Sequence, residues 1–208
     1  MSHPQQLFFV SGVKQFLPDF FAGKKVLEVG SLDLNGSVRQ FFTDCAYEGL
    51  DVGAGPGVDT VCPGQDYGAP ADAFDVVISS EMMEHNPAWR KTFLNMLRVV
   101  RPGGLMVLTC ATTGRRQHGT TAYSPTDSPL TNEQGSDYYR NLTQSDIAGL
   151  VNLDSWFSTW HFYEDHTSHD LYFFGLALEA SSEDIRRGTE LAKAFTDYYF
   201  KRNILGLQ

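Results

Sequence analysis

Apolar residues in the first half of this chain fall into short unbroken runs separated by polar, glycine-bearing segments, which is the mark of strands buried on both faces. Lys25-Val26-Leu27-Glu28-Val29-Gly30 opens the series, and residues 47–51, 58–61 and 74–80 continue it. Between strands the period lengthens. Residues 37–42 read as a short helix, and Asn86-Pro87 offers a cap and a first-turn proline for a helix running to about Val100. Phe93, Met96, Leu97 and Val100 form its apolar stripe. Arg101-Pro102-Gly103-Gly104 then breaks that helix and feeds a strand over residues 105–110. Strands alternating with helices predict an α/β fold with a doubly wound, mostly parallel sheet.

The final third departs from this rhythm. Residues 156–163 and 171–178 are two strand candidates with no helix between them, so they predict an antiparallel hairpin at the sheet's C-terminal edge. A helix over residues 182–203 closes the chain, with Ile185, Leu191, Phe195 and Tyr199 on related turns. It packs either on the sheet or against a second copy in a homodimer. Residues 111–140 are rich in Thr, Ser, Gly and Pro; a loop of that length is more often a functional lid than an accident. No linker divides the sequence, so residues 1–208 are expected to form a single domain.

Charge narrows the choice of partner. A formal charge of −9 with scattered Lys and Arg argues against a surface built to neutralise a nucleic-acid backbone. An odd count of cysteines, Cys45, Cys62 and Cys110, with no CxxC pairing, argues against a disulfide framework and against a thiolate zinc site. The first twelve residues lack a basic region followed by a long apolar run, and no stretch reaches membrane-spanning length. The expectation is a cytoplasmic protein with no membrane span.

Candidate chemistry concentrates where the run 74–80 ends, in Glu81-Met82-Met83-Glu84-His85. In one helical turn Glu81, Glu84 and His85 would share a face and converge on a point. Carboxylate oxygens with an imidazole suit Mg²⁺ or Mn²⁺. The plainer alternative is that both glutamates favour the positive end of a short helical turn while His85 meets solvent or a carbonyl.

The assembled order, Val26-Leu27-Glu28-Val29-Gly30, Asp51, Phe74-Asp75-Val76-Val77 and Arg101-Pro102-Gly103-Gly104, resembles class I S-adenosylmethionine-dependent methyltransferases. The likeness covers roughly residues 24–110, and its first turn, Gly30 to Gly36, departs from the family's usual Gly-x-Gly-x-Gly. The resemblance implies a Rossmann-like methyltransferase sheet and S-adenosylmethionine as cofactor. Gly30 and Ser31 would form the turn against it, and Glu28 would face its sulfonium and amino group. Asp51 would accept from the ribose hydroxyls, Gln65 would lie by the adenine, and Ser80 would sit beside the donor. Backbone donors alone satisfying Glu28, and a strand-end turn for Asp51, are the plainer alternatives. A dinucleotide-dependent dehydrogenase is disfavoured by the missing Gly-x-Gly-x-x-Gly.

Glu-x-x-Glu-His also resembles the metal site of the methyltransferases of ubiquinone biosynthesis and of small-RNA 2′-O-methylation. That likeness implies metal ligation by Glu81, Glu84 and His85, completed by a downstream histidine, for which His118 is best placed; His161, His166 and His169 are weaker candidates. A metal would lower the pKa of an acceptor hydroxyl. Without one, His85 or His118 would serve as general base. Residues 28–39 and 109–115 look like methyltransferases of surface-polysaccharide synthesis, which implies a saccharide acceptor methylated on oxygen. Tyr123, Tyr138 and Tyr139 would then stack on sugar faces, and Arg115 and Arg116 would meet a phosphate. Two alternatives stay open: a small phenolic or quinone-like acceptor, and a non-catalytic cofactor-binding subunit.

Overall fold

A computed structural model describes residues 3–206. Helix α1 (Pro4–Phe16) leads into β1 (Lys25–Val29), β2 (Ala46–Asp51), β3 (Thr60–Val61) and β4 (Phe74–Ser80). Helix α2 (Trp89–Val99) runs directly into β5 (Val100–Ala111). The short helices α3 (Pro129–Glu133) and α4 (Gln144–Ala148) precede the hairpin of β6 (Phe157–Asp165) and β7 (Asp170–Ala177), and α5 (Ser182–Leu205) ends the fold. Among the described residues the strands make one sheet in the order β3-β2-β1-β4-β5-β7-β6. Neighbours from β3 to β5 pair in parallel, whereas β7 is antiparallel to both β5 and β6. The parallel sheet and the antiparallel edge hairpin are those the apolar runs predict.

Strand alternation divides the interior into two cores. Val26, Val76, Ile78, Leu105 and Val107 face α1 and α5, meeting Phe9, Val10 and Phe195. Leu27, Val29, Val77, Met106 and Leu108 face the other way, onto α2 and the α4 region through Phe93, Met96, Leu97 and Ile147. Each fully buried Leu or Phe contributes about 1.5–3 kcal/mol of transfer free energy, so both sheet faces anchor the strand ends that carry the site.

Several local expectations are corrected. Residues 37–42 form only a 3-10 turn, Val38–Phe41, capped by Ser37. The N-terminal helix α1, absent from the sequence reading, lies against that turn and covers the sheet in place of a crossover helix. Asn86 does receive the Ala88 amide on its side chain, yet α2 begins at Trp89. Arg101-Pro102-Gly103-Gly104 lies inside β5, not before it. Phe74 pairs with Val100 but Val76 pairs with Leu105, so this segment is a bulge that absorbs the extra residues, pinned by Arg101 to Asp75 at 2.6 Å. Helix α5 packs on the sheet, one of the two positions expected of it, with Tyr199 stacked on Tyr163 and Phe195 edge-on to that ring. No described helix is long and apolar enough to cross a membrane. The three cysteines are free thiols.

Candidate active site

Where β1 and β4 lie side by side, the connections diverge to opposite sides of the sheet, and the crevice outside the strands' carboxyl ends is the natural ligand position. A cleft of about 1010 Å³, counted out to its open mouth, follows that edge in sheet order. Cys62 to Gln65 line it after β3, Asp51 and Val52 at the end of β2, Val29 and Gly30 at the end of β1, and Glu81, Met82 and His85 after β4. Gly30 has φ +85°, and a Cβ there would fall 2.4 Å from Met82 Cβ, so the turn permits close backbone approach that no other residue allows.

Asp51 accepts the Leu32 amide on Oδ2 (3.0 Å) and the Val52 amide on Oδ1 (2.8 Å). Each oxygen keeps a second lone pair for a ligand. Burial pushes its carboxyl above the usual range, against the pull of those two amides. Gln65 also lines the cleft, its Oε1 accepting from Thr92 Oγ1 at 3.1 Å.

Residues 127–136 form the roof, contributing Asp127, Ser128, Leu130, Thr131, Gln134 and Ser136. The cap is latched at its far end, where Gln134 Nε2 donates to the Val52 carbonyl and Leu130 packs on Gly53. The long Ser/Thr/Pro-rich loop is therefore placed as a lid over the cleft. Length and composition were its only sequence signal; no residue pattern singled out Asp127 or Gln134.

Beside the cleft, Glu84, His85 and His118 bring ligand atoms within 4.8 Å of one another. Glu84 is wholly buried; its Oε1 accepts the Ala111 amide at 3.2 Å and its Oε2 has no partner. His85 Nδ1 is likewise buried without a partner. Desolvation lowers the His85 pKa to about 4, outweighing the attraction of Glu84, so the ring is neutral at physiological pH. His118 Nδ1 lies 3.0 Å from the Arg116 carbonyl, which only accepts, so Nδ1 carries the hydrogen and Nε2 keeps its lone pair. Tyr139 closes the group, its ring centroid 5.5 Å from His85 and 4.9 Å from His118. Orphaned buried acceptors on a carboxylate and an imidazole, with a second imidazole in the correct tautomer, are a donor set that fits a divalent cation.

The structure separates residues that the sequence grouped. Glu81 does not join Glu84 and His85, because its backbone is left-handed (φ 52°) and the helical face that would align the three does not form; only Met83–His85 makes a 3-10 turn. Glu28 does not line the cleft. It projects from the Val26 side of β1 and accepts the Tyr47 hydroxyl at 2.7 Å. Ser31 is buried behind the turn against Gly49, and Ser80 sits 3.1 Å from Thr109 Oγ1; neither lines the cleft. Arg115 is engaged with the Ser168 carbonyl (2.7 Å) and Asp170 (3.3 Å), leaving it poorly disposed toward a phosphate, while Arg116 is exposed. His161 packs on Phe174, His166 lies beside Glu164 and His169 bonds near Thr113, all apart from the cluster.

Gly119 sets the lid root on the cluster. Its φ is +66°, and a Cβ there would fall 2.5 Å from His85 Cε1 and 2.8 Å from Ser128 Cβ. Gly119→Ala is expected to displace the imidazole and the cap together, lowering the activity of the site by about 10- to 100-fold and, because alanine is strained at a positive φ, the unfolding midpoint by roughly 2–8 °C as well. Steady-state kinetics beside thermal unfolding check this.

Fold and cleft together define a Rossmann-like protein with a cleft along the β3 to β4 edge. The chain belongs to the methyltransferase-domain family, which it matches over residues 1–172. No curated protein sequence matches it. Among solved structures it resembles the Burkholderia thailandensis 1,6-didemethyltoxoflavin-N1-methyltransferase, bound to its acceptor and S-adenosylhomocysteine, at 13% identity and TM-score 0.55 over 82% of this chain and 78% of that one. The Haemonchus contortus phosphoethanolamine N-methyltransferase 2 with S-adenosyl-L-methionine aligns at 13% identity and TM-score 0.57 over 82% of this chain, which spans only 52% of that enzyme. The CurJ carbon methyltransferase aligns at 15% identity and TM-score 0.53, over 79% and 51% of the two chains. Nitrogen and carbon methylation both occur on this fold, so the atom methylated is decided by the site.

Proposed function

We propose that this chain is an S-adenosylmethionine-dependent O-methyltransferase whose acceptor is a hydroxyl of a sugar or glycan, assisted by a divalent metal. The observation that carries the reading is the Glu84–His85–His118 cluster set against one end of the cleft. A cofactor lying along the cleft with its ribose at Asp51 would bring its sulfonium to that end. Glu84, His85 and His118 would hold the metal, which when bound lowers the pKa of a coordinated hydroxyl and fixes its line of approach to the methyl group. The protein's own part is orientation and exclusion of water: Ala111 fixes Glu84, Arg116 fixes the His118 tautomer, and the lid covers the reacting groups.

A neutral, hydroxyl-rich acceptor suits the lining. The roof offers Ser128, Thr131, Gln134 and Ser136 as small hydrogen-bonding side chains. Two nearby arginines are paired, Arg115 with Asp170 and Arg140 with Asp146 at 2.5 Å, leaving Arg116 exposed. Metal-free base catalysis is the second reading, favoured by the free Nε2 of His118 rather than by His85, whose pKa near 4 makes it a feeble base.

The test supplies the purified chain with isotopically labelled S-adenosylmethionine, Mg²⁺ or Mn²⁺, and parallel panels of saccharides and catechols. Label on sugar oxygen, abolished by chelation and restored by metal, is the expected result. Label that survives chelation moves the mechanism to a His118 base, transfer confined to catechols replaces the acceptor class, and absence of S-adenosylhomocysteine binding overturns the reading altogether.

A further inference from the structure

A second cavity opens on the α1–α5 side of the sheet and shares no lining residue with the cleft. It lies where the first turn of α1, the β6–β7 turn and the last turns of α5 meet, and holds about 470 Å³ counted to its mouth. That is room for one ring and a small substituent, toward the lower end of the range for ligand pockets, roughly 300–1000 Å³. Its walls are aromatic. Phe8 lies against Tyr198 with ring centroids 4.7 Å apart, Tyr198 stands edge-on to Tyr199 at 5.0 Å, and Tyr199 stacks on Tyr172 at 5.4 Å.

One positive charge is built into this box. The Arg202 side chain is only 17% exposed, and its Nε donates to Asp165 Oδ2 at 2.6 Å. Asp165 has little capacity left, because its Oδ1 already accepts the Thr167 amide (2.8 Å), the Thr167 hydroxyl (2.6 Å) and the Ser168 amide (3.4 Å). Asn203 clamps the same turn to α5, donating to the Glu164 carbonyl at 2.6 Å and accepting the His166 amide at 2.8 Å. The guanidinium is thus held in place by one nitrogen, while Nη1 and Nη2 have no hydrogen-bond partner among the described residues. Their outer edge presents two N–H groups at the spacing of two oxygens of a carboxylate or phosphate. Helix α1 adds the same sign. Pro4 and Gln5, its first two residues, line the cavity, no side chain caps that end and its first turn carries no acid, so its partial positive charge stands uncancelled there.

The geometry points to a second ligand site, for a small molecule that carries a carboxylate or phosphate on a ring: Arg202 takes the oxyanion end-on, and Phe8, Tyr198 and Tyr199 take the ring. The site stands independently of the S-adenosylmethionine reading, since none of its residues belongs to the cleft.

Nitrogen-15 NMR titration of the full chain with 4-hydroxybenzoate, glucuronate and glucose 6-phosphate tests it, each beside its uncharged counterpart, 4-hydroxybenzamide, glucuronamide and glucose. At least one acid is expected to bind about 10- to 100-fold more tightly than its counterpart, shifting amides of residues 165–172 and 198–203 and leaving those around Asp51 and Glu81 in place. A preference for the benzoate makes the ligand an aryl acid, and a preference for either sugar makes it a sugar acid. Arg202→Gln, whose amide can still donate to Asp165, is expected to reduce the acid-to-neutral ratio to about twofold or less. Phe8→Ala, at a 44% exposed position, is expected to weaken the acids by about three- to tenfold with that ratio kept, and supplies the answer if Arg202→Gln does not fold. Absence of binding by all three acids at about 10 mM overturns the site, as do equal affinities for acids and counterparts, shifts confined to the cleft, or undiminished affinity in both variants.

Discussion

Glu84→Gln is expected to lower methyl-transfer kcat by at least about a thousandfold and to remove Mn²⁺ binding, while S-adenosylhomocysteine binds as in wild type. The substitution is nearly isosteric, and the glutamine carbonyl can still accept the Ala111 amide that Glu84 Oε1 accepts at 3.2 Å. What disappears is the negative charge on a wholly buried side chain whose second oxygen has no protein partner. Several kcal/mol of charge stabilisation at the acceptor oxygen correspond to three or more powers of ten in rate. Because removing a buried, unpaired carboxylate relieves desolvation, the unfolding temperature should hold or rise, so a loss of activity cannot be ascribed to unfolding. Kinetics, metal titration and thermal unfolding on the same preparation read all three quantities. Wild-type turnover in Glu84→Gln would remove this residue from the reaction.

Glu28→Gln carries the largest expected effect on stability. Burial raises the Glu28 carboxyl from its ordinary value of 4.5 to about 7, even though the Tyr47 hydroxyl pulls it the other way. The folded protein therefore retains a proton that the unfolded chain surrenders near pH 4.5, so this group's contribution falls as pH rises from about 4.5 to about 7 and the full penalty stands above that. A shift of that size corresponds to about 3 kcal/mol. Glutamine keeps an acceptor for Tyr47 without the charge. At pH 8 the variant should unfold roughly 6–12 °C above wild type, with most of the gap gone at pH 5. Equal unfolding temperatures at both pH values would contradict the raised carboxyl.

Much of the architecture was legible because its signals are local. A double-faced apolar run such as Phe74 to Ile78 can only be a strand between two layers, and the hairpin of β6 and β7 announces itself by lacking a helix between its strands. A short polar-apolar alternation such as residues 37–42 supports one turn as well as three, and here it makes only the 3-10 turn Val38–Phe41. Helix α1 carries no such local signal: its apolar positions, Phe9, Val10 and Val13, acquire meaning only against Phe195 and the β1–β4 face.

Residue types at the candidate site were legible in the same way, and their grouping was not. Sequence by itself determined the strand order's raw material, the acid at the end of β2, the glycine turn after β1, and a carboxylate–histidine pair after β4. Tertiary structure alone decided that Glu28 turns to Tyr47, that Glu81 breaks from Glu84 under a left-handed backbone, that His118 returns to His85 from 33 positions away, and that residues 127–136 roof the cleft. The physical reason is the range of the forces. Propensity and periodicity act over a few residues, whereas the face a side chain takes, its desolvation and its partners are set by whichever segments the sheet brings alongside.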